Sequence, residues 1–484
     1  MGPAPGTEVA SIRGNTLIEM RLYSGSPWHL ECHVQQIGED HLCTIHGGDG
    51  HIGAVALSEW SDGKATTRCL TASGHRERGV AMHAAHALCG VTHSRVSCIA
   101  GIHYESPGPD DIAAIVQAAQ DLTRRAANQL EQRRLERALA APDCLLSRID
   151  AGREEISEDI DAFMALTTER AVSAVRSEAA VVAENFGHRV NFFAPLYLSN
   201  ACSNDCVYCG FRRSARFGRT SLSVDDAVRE ARQLTDLGHR TIDLVTGEIA
   251  TDRFIDFICE ATRAILEKTK MRRINLNLGA LTTDQFRRLA AAGARSYHLY
   301  QETYSPRTYF AVHPRGLKRD MAYRLAGAHR AADADFDSIG LGVLLGLHTV
   351  REDLASLAAH AQILTEDYPT LRIGFSLPRL QHVDDDCDYT AATAVDDDTF
   401  LKAMLFLRLR FPQAHLTVTT RESAEMRDRL IPLGVTKLSA GVSTAPGGYV
   451  VEPSATVQFD IADRRPLPDI VDLVRRSGLT ATFG

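Results

Sequence analysis

The feature that most limits what this chain can become is a rhythm running from about residue 145 to its end. Short β-rich runs (VNFFAPLYLS, TIDLVTG, RINLNLG, SYHLYQETY, DSIGLGVLLGL, RIGFSLPR, HLTVTT and KLSAG) alternate with amphipathic helical stretches such as DDAVREARQLTDLG, TDQFRRLAAAG and DLASLAAHAQILTEDY. Parallel strands need crossover connections long enough to hold a helix, so eight such runs over some three hundred residues predict an α/β fold, a closed (β/α)8 barrel. In that fold the carboxyl ends of the strands face the active site, which gives weight to polar residues found there.

The first hundred residues read differently. LIEMRLYS, HLECHVQQIG, HLCTIHGG, AVALSEW and SRVSCIAGIH are strand-like, with one helical stretch, RGVAMHAAHALCG, among them. A small α+β domain is predicted over residues 1–122, a helical linker over 123–144 with a break at APD 141–143, and the barrel with a C-terminal cap over 145–484. A chain of 484 residues is too long for one core, which agrees with two domains. A net charge of −8 argues against nucleic acid as a partner, and the basic run TRRAANQLEQRRLER reads as a solvated helix face. No apolar run is long enough to span a bilayer, and the N-terminus lacks the apolar core of a signal peptide, so a cytoplasmic protein with reduced thiols is expected.

Eleven cysteines in such a compartment are mostly small core residues. The exception is LSNACSNDCVYCGF, which places Cys202, Cys206 and Cys209 in a polar loop directly after a strand. Structural zinc asks for four ligands, and no nearby His or Cys supplies the fourth. A [4Fe–4S] cluster held by three thiolates keeps one iron open to a small molecule, which is useful for catalysis. Zinc or plain packing are the weaker readings.

CxxxCxxC with Tyr208 before the last cysteine resembles the radical S-adenosylmethionine superfamily. Together with FAPLYLSN, LVTGE (244–248), LYQETY (299–304), GLKRDMAYRL, IGLGVLLGL (339–347), SLPRL (376–380), TTRES (419–423) and LSAGVSTAPGGY (438–449), it resembles the tyrosine lyases of the 2-iminoacetate synthase type and their hydrogenase-maturation relative. The resemblance implies that S-adenosylmethionine chelates the open iron, that Tyr208 lies by its adenine, and that electron transfer from the cluster produces a 5′-deoxyadenosyl radical. It implies Cα–Cβ scission of tyrosine to 2-iminoacetate and 4-cresol in thiamine thiazole biosynthesis, with flavodoxin or ferredoxin as reductant and a thiazole synthase as a candidate partner. After Cys209 only Cys259 and Cys387 remain, so the second cluster of the hydrogenase-maturation relative is not expected. A related lyase acting on tryptophan or another aromatic acid stays open, as does a non-catalytic cofactor-binding or maturation role.

Within the barrel, Glu248 is expected to hold the ammonium of S-adenosylmethionine, with an N-cap or surface role as the plainer alternative. Glu302 is expected as a second cofactor contact and Arg324 as a third. Arg379 is the candidate clamp for a substrate carboxylate, because its planar fork binds carboxylates bidentately; a structural ion pair is the alternative. Ser376, Arg421 and Ser423 are candidates to line the pocket, and GGY 447–449 reads equally as a turn.

The N-terminal module holds ten of the nineteen histidines, and His75, His83 and His86 are candidate metal ligands, although ordinary histidines are the simpler reading. GGDGHIG (47–53) contains a literal GxGxxG, but a strand-like segment follows it instead of a helix. A glycine hairpin or anion-binding nest is therefore predicted in place of a dinucleotide site. HVQQIGEDHLCTIHGGDGHIGAV, SGHRERG and CIAGIHYE resemble the LpdD-like accessory proteins of prenylated-flavin decarboxylases, which implies a binding or chaperone role.

Overall fold

The computed structural model describes residues 7–9, 19–24, 28–61, 64–141, 143–381, 389, 391–451 and 457–483; Cys387 lies outside them. The chain divides into two compact units, Met1–Ala140 and Ala141–Gly484.

The first unit is a seven-stranded sheet built from β1 (Thr7–Val9), β2 (Glu19–Tyr23), β3 (Leu30–Ile37), β4 (Asp40–Gly48), β5 (Ala54–Ser61), β6 (Lys64–Thr71) and β7 (Val96–His103), in the order β1-β2-β3-β4-β7-β5-β6. Only the β4–β7 pairing is parallel. The alternation of β3 and β4 puts Leu30, Cys32, Val34, Cys43 and Ile45 on one buried face, covered by helices α1 (Arg78–Thr92) and α2 (Pro109–Ala140). Strand β6 has no fully buried residue; its half-buried side, Ala65, Thr67 and Cys69, is too weakly apolar to mark a strand in the sequence.

Helix α2 differs from the expected boundaries. It runs unbroken for 32 residues and buries Ile115, Ala119, Leu122, Ala126 and Leu130 in the core of this unit. Residues 123–140, expected as a linker, are the second half of that packed helix, because the apolar period continues through them at i, i+3 and i+4.

The second unit is the barrel. Strands β8 (Arg189–Ser199), β9 (Thr241–Thr246), β10 (Arg273–Asn277), β11 (Ser296–His298), β12 (Ser338–Gly342), β13 (Arg372–Ser376), β14 (His415–Val418) and β15 (Lys437–Ser439) pair in chain order, all parallel, and β15 returns to β8 with Leu438 opposite Phe192. These are the eight runs read from the sequence. A short β16 (Thr480–Thr482) adds itself to the outer edge of β8. Local signals place the crossovers: the helices Val224–Asp236 and Thr283–Ala291 open with capping boxes, Ser223 with Asp226 and Thr282 with Gln285. Gly238 and Gly293 follow those helices with φ of 106° and 109°, a region glycine enters without steric cost. No helix among the described residues is long and apolar enough to cross a membrane.

Candidate active site

One cavity opens at the carboxyl ends of the barrel strands. Its wall includes Tyr197 from β8, Thr246 to Glu248 after β9, Asn277 to Gly279 at β10, Tyr300 and Glu302 after β11, Ser376 at β13, and Thr419 to Arg421 after β14. Cys202, Cys206, Tyr208 and Cys209 line the same cavity, as do Lys318 and Arg324.

The cysteine loop is anchored from both sides. Ser203 donates its backbone N–H and its hydroxyl to the Glu248 carbonyl at 3.0 and 2.8 Å, and Val207 N–H reaches the Val312 carbonyl at 3.1 Å. Backbone N–H groups of Asn204 and Phe211 point at the sulfurs of Cys202 and Cys209, each at 3.4 Å. Burial raises all three thiol pKa values, that of Cys209 to about 11, so a metal's positive charge is needed to make them thiolates at neutral pH. The N–H···S contacts and the shared cavity fit an iron–sulfur cluster.

Two carboxylates flank the loop. Glu248 accepts from Asn204 Nδ2 (2.8 Å) and Ala280 N–H (2.9 Å), and pairs with the buried Arg324 at 3.3 Å. Burial alone would lower the Arg324 pKa, but the Glu248 charge and its neighbours raise it on balance. Glu302 pairs with Lys318 Nζ at 2.5 Å, and its φ of 71° is unusual for a residue with a Cβ, so local strain accompanies its position in the cavity wall. Tyr208 Oη donates to His313 Nε2 at 2.7 Å; His313 Nδ1 faces the Tyr309 carbonyl, which leaves Nε2 as the acceptor. Paired charges of both signs around one pocket suit a zwitterionic cofactor head.

Arg379 is a correction. It is absent from the cavity wall: its guanidinium meets Glu422 at 2.5 Å and Asp397 at 2.8 Å, donates to the Val395 carbonyl, and lies over the Phe400 ring. The extended chain beyond β13 alternates, so Ser376 and Pro378 face the cavity while Arg379 faces away. The arginine that does face inward is Arg421. Its guanidinium stacks 3.6 Å above Phe459 and, among the described residues, forms no ion pair. Burial pulls its pKa down, and the strongest opposing influences are Tyr197 and Glu302. Ser423 caps the helix Ala424–Leu430 instead of lining the pocket. Tyr449 of the GGY turn ties the chain to the Pro195 carbonyl.

Asn204 and Lys318 were not singled out from the sequence. Asn204 lies inside the cysteine motif, where a side-chain donor two residues from a ligand could have been suspected. Lys318 sits on a single 3-10 turn, Leu317–Arg319, inside the GLKRDMAYRL stretch, and nothing local in that stretch says that its ammonium reaches Glu302.

Comparison with known proteins agrees with this geometry. Residues 196–361 match the Radical SAM superfamily, 376–480 the Biotin and Thiamin Synthesis associated domain, and 24–131 the Prenylated flavin chaperone LpdD-like domain. The 2-iminoacetate synthase of Escherichia coli (strain K12) is 35% identical over 285 residues, which is 58% of this chain and 74% of that protein. That of Salmonella typhimurium is 33% identical, over 61% of this chain and 78% of its own length. The chain belongs to the 2-iminoacetate synthase family of radical S-adenosylmethionine enzymes. A crystal structure of HydG, a maturase of the [FeFe]-hydrogenase, superposes with a TM-score of 0.62 at 29% identity, covering 73% of this chain and 80% of that one. HydG from Carboxydothermus hydrogenoformans gives 0.60 at 31%, over 74% and 85%. As a radical S-adenosylmethionine lyase the chain uses a [4Fe–4S] cluster and S-adenosylmethionine, and the cysteine loop, with the charge pairs beside it, has the chemistry to hold both.

Proposed function

We propose that this radical S-adenosylmethionine lyase cleaves the Cα–Cβ bond of tyrosine to give 2-iminoacetate and 4-cresol, 2-iminoacetate being the product named by its relatives. The observation that carries the reading is Arg421: an inward-facing guanidinium without a carboxylate partner among the described residues, in the same cavity as the three cysteines. A free amino acid brings the missing carboxylate.

When bound, the cluster and S-adenosylmethionine supply a radical able to take a hydrogen atom from the substrate. The chain's residues do the rest. Cys202, Cys206 and Cys209 hold iron; Tyr208 supports the cofactor's adenine; Glu248 with Arg324, and Glu302 with Lys318, receive its amino-acid head. Arg421 clamps the substrate carboxylate, and Tyr197, Tyr300 and Phe459 supply flat apolar wall for an aromatic ring. Ser376, in the same cavity wall as Tyr300, offers a hydroxyl to the ring's polar edge. Barrel enclosure keeps water from the radical. A flavodoxin- or ferredoxin-type protein supplies the electron, and a thiazole synthase is the expected consumer of 2-iminoacetate.

The test is anaerobic reconstitution followed by a product scan by mass spectrometry with each aromatic amino acid. 5′-Deoxyadenosine and 4-cresol from tyrosine are expected. An indolic product from tryptophan would move the assignment to that substrate, and no 5′-deoxyadenosine with any of them would refute it. The N-terminal unit, by its resemblance, has a flavin-related binding or chaperone role, checked by titrating the full chain with prenylated flavin mononucleotide.

A further inference from the structure

The glycine-rich GGDGHIG segment is not explained by the lyase site, and its surroundings are specific. It leaves β4, and β5 follows it, so no helix opens there to receive a dinucleotide. The glycines serve close approach. A Cβ on Gly101 of β7 would lie 1.6 Å from the His51 carbonyl oxygen, and one on Gly53 would lie 2.4 Å from a carboxylate oxygen of Glu77. Each glycine thus makes room for one of two residues that converge: His51 from the loop and Glu77 from the residue just before α1.

His75 completes the group. His51 Nε2 is 2.9 Å from His75 Nδ1 and 3.2 Å from Glu77 Oε1, and His75 Nδ1 is 3.7 Å from Glu77 Oε2. Metal–ligand bonds of about 2.0–2.2 Å to nitrogen and oxygen imply donor–donor edges of roughly 2.8–3.6 Å between right-angled and tetrahedral arrangements. Two of the three separations fall in that range, and the third is to the carboxylate's other oxygen. His51 Nδ1 lies 3.2 Å from the Asp49 carbonyl, an N–H···O contact that turns the Nε2 lone pair toward the centre of the group. Backbone N–H groups, Arg76 at 2.9 Å among them, hold the Glu77 side chain in place, and the His103 ring packs edge-on against His51. Glu77 has only 12% of its side-chain surface exposed, His51 24% and His75 35%, so the group is set into the surface but open on the His75 side.

We propose that His51, His75 and Glu77 form a two-histidine, one-carboxylate site for a divalent first-row transition metal in the N-terminal unit, zinc being the simplest occupant. Two imidazoles and one carboxylate leave coordination positions for water or for an anionic oxygen ligand, and so give this unit a means of gripping such a ligand. The sequence reading grouped His75 with His83 and His86; the fold instead joins it to His51 and Glu77, because His83 and His86 ride on α1 away from the loop. His86 Nδ1 contacts the Thr67 hydroxyl at 3.1 Å.

The test uses the full chain with its iron–sulfur cluster already assembled under anoxia. The protein is mixed with zinc sulfate and desalted, and zinc and iron are counted by plasma mass spectrometry. About one zinc per chain beyond the cluster iron is expected, with a zinc X-ray absorption spectrum showing nitrogen and oxygen neighbours and no sulfur. Affinity should fall by about 10- to 100-fold or more in H51Q and E77Q, and in H75Q, whose exposed position keeps the fold out of question. H83Q and H86Q should bind as the wild type does. Zinc should raise the melting temperature of the wild-type N-terminal transition and leave that of H75Q unmoved. A wild-type chain that takes up no extra zinc, an H75Q variant that binds it equally well, or sulfur in the absorption spectrum would each overturn the assignment.

Discussion

Replacing Gly247 by alanine inserts one methyl group beneath the cysteine loop, and the structure sets what it must displace. The new Cβ would sit 2.2 Å from the Ala201 carbonyl oxygen and 2.7 Å from Cys202 Cβ, where ordinary contact begins at 3.4 Å. Neither neighbour is the free end of a side chain. The strand end is tied by Gly247 N–H to the Ser199 carbonyl at 3.2 Å, and the loop by Ser203 to the Glu248 carbonyl. The strain is therefore relieved by moving Cys202 and its backbone by about 1 Å, at an overpacking cost of about 1–3 kcal/mol. A displacement of that size at a reacting centre costs on the order of 10²-fold in rate. The assay is iron and sulfide per chain after anaerobic reconstitution, the electron paramagnetic resonance spectrum of the reduced cluster with and without S-adenosylmethionine, and the rate of 5′-deoxyadenosine formation. G218A is the control, since a Cβ at Gly218 meets nothing within 4 Å. G247A with wild-type iron content, an unchanged spectral response to S-adenosylmethionine and an unchanged rate would refute the reasoning.

Other outcomes follow from the same geometry. R421Q should raise the KM for the aromatic amino acid by about 10- to 100-fold, the loss of one charge-assisted contact, while cluster iron is retained; steady-state product formation checks this. R379L should act on stability and not on KM, because it leaves the buried Glu422 carboxylate without its main partner at a cost of about 3–5 kcal/mol, visible in thermal unfolding. Burial lowers the His360 pKa from 6.5 to about 3, so the native state binds fewer protons there than the unfolded chain. Its contribution is whole above pH 6.5 and is lost at about 1.4 kcal/mol per pH unit as pH falls toward 3, so chemical denaturation between pH 7 and 4 should show a slope that H360Q reduces.

What could be read in advance had a local cause. The eight strands and their helices follow from period and caps within a dozen residues, and the cysteines announce themselves because three ligands of one cluster share one loop. Glu248, Glu302 and Arg324 were reached through motif resemblance, and the structure places all three in the cavity wall. Arg379 shows where such reading stops. SLPRL and TTRES each carry one arginine beside a barrel strand, and nothing in either pentapeptide says which one points inward. The parity of the extended chain and the position of Glu422 send Arg379 outward and Arg421 inward. The same division holds in the N-terminal unit. The sequence by itself determined that a glycine-rich loop, many histidines and a sheet would occur together there. Only the tertiary structure decided that His51, His75 and Glu77 meet, because two glycines on separate segments, Gly53 and Gly101, leave out the side-chain atoms that would have held them apart.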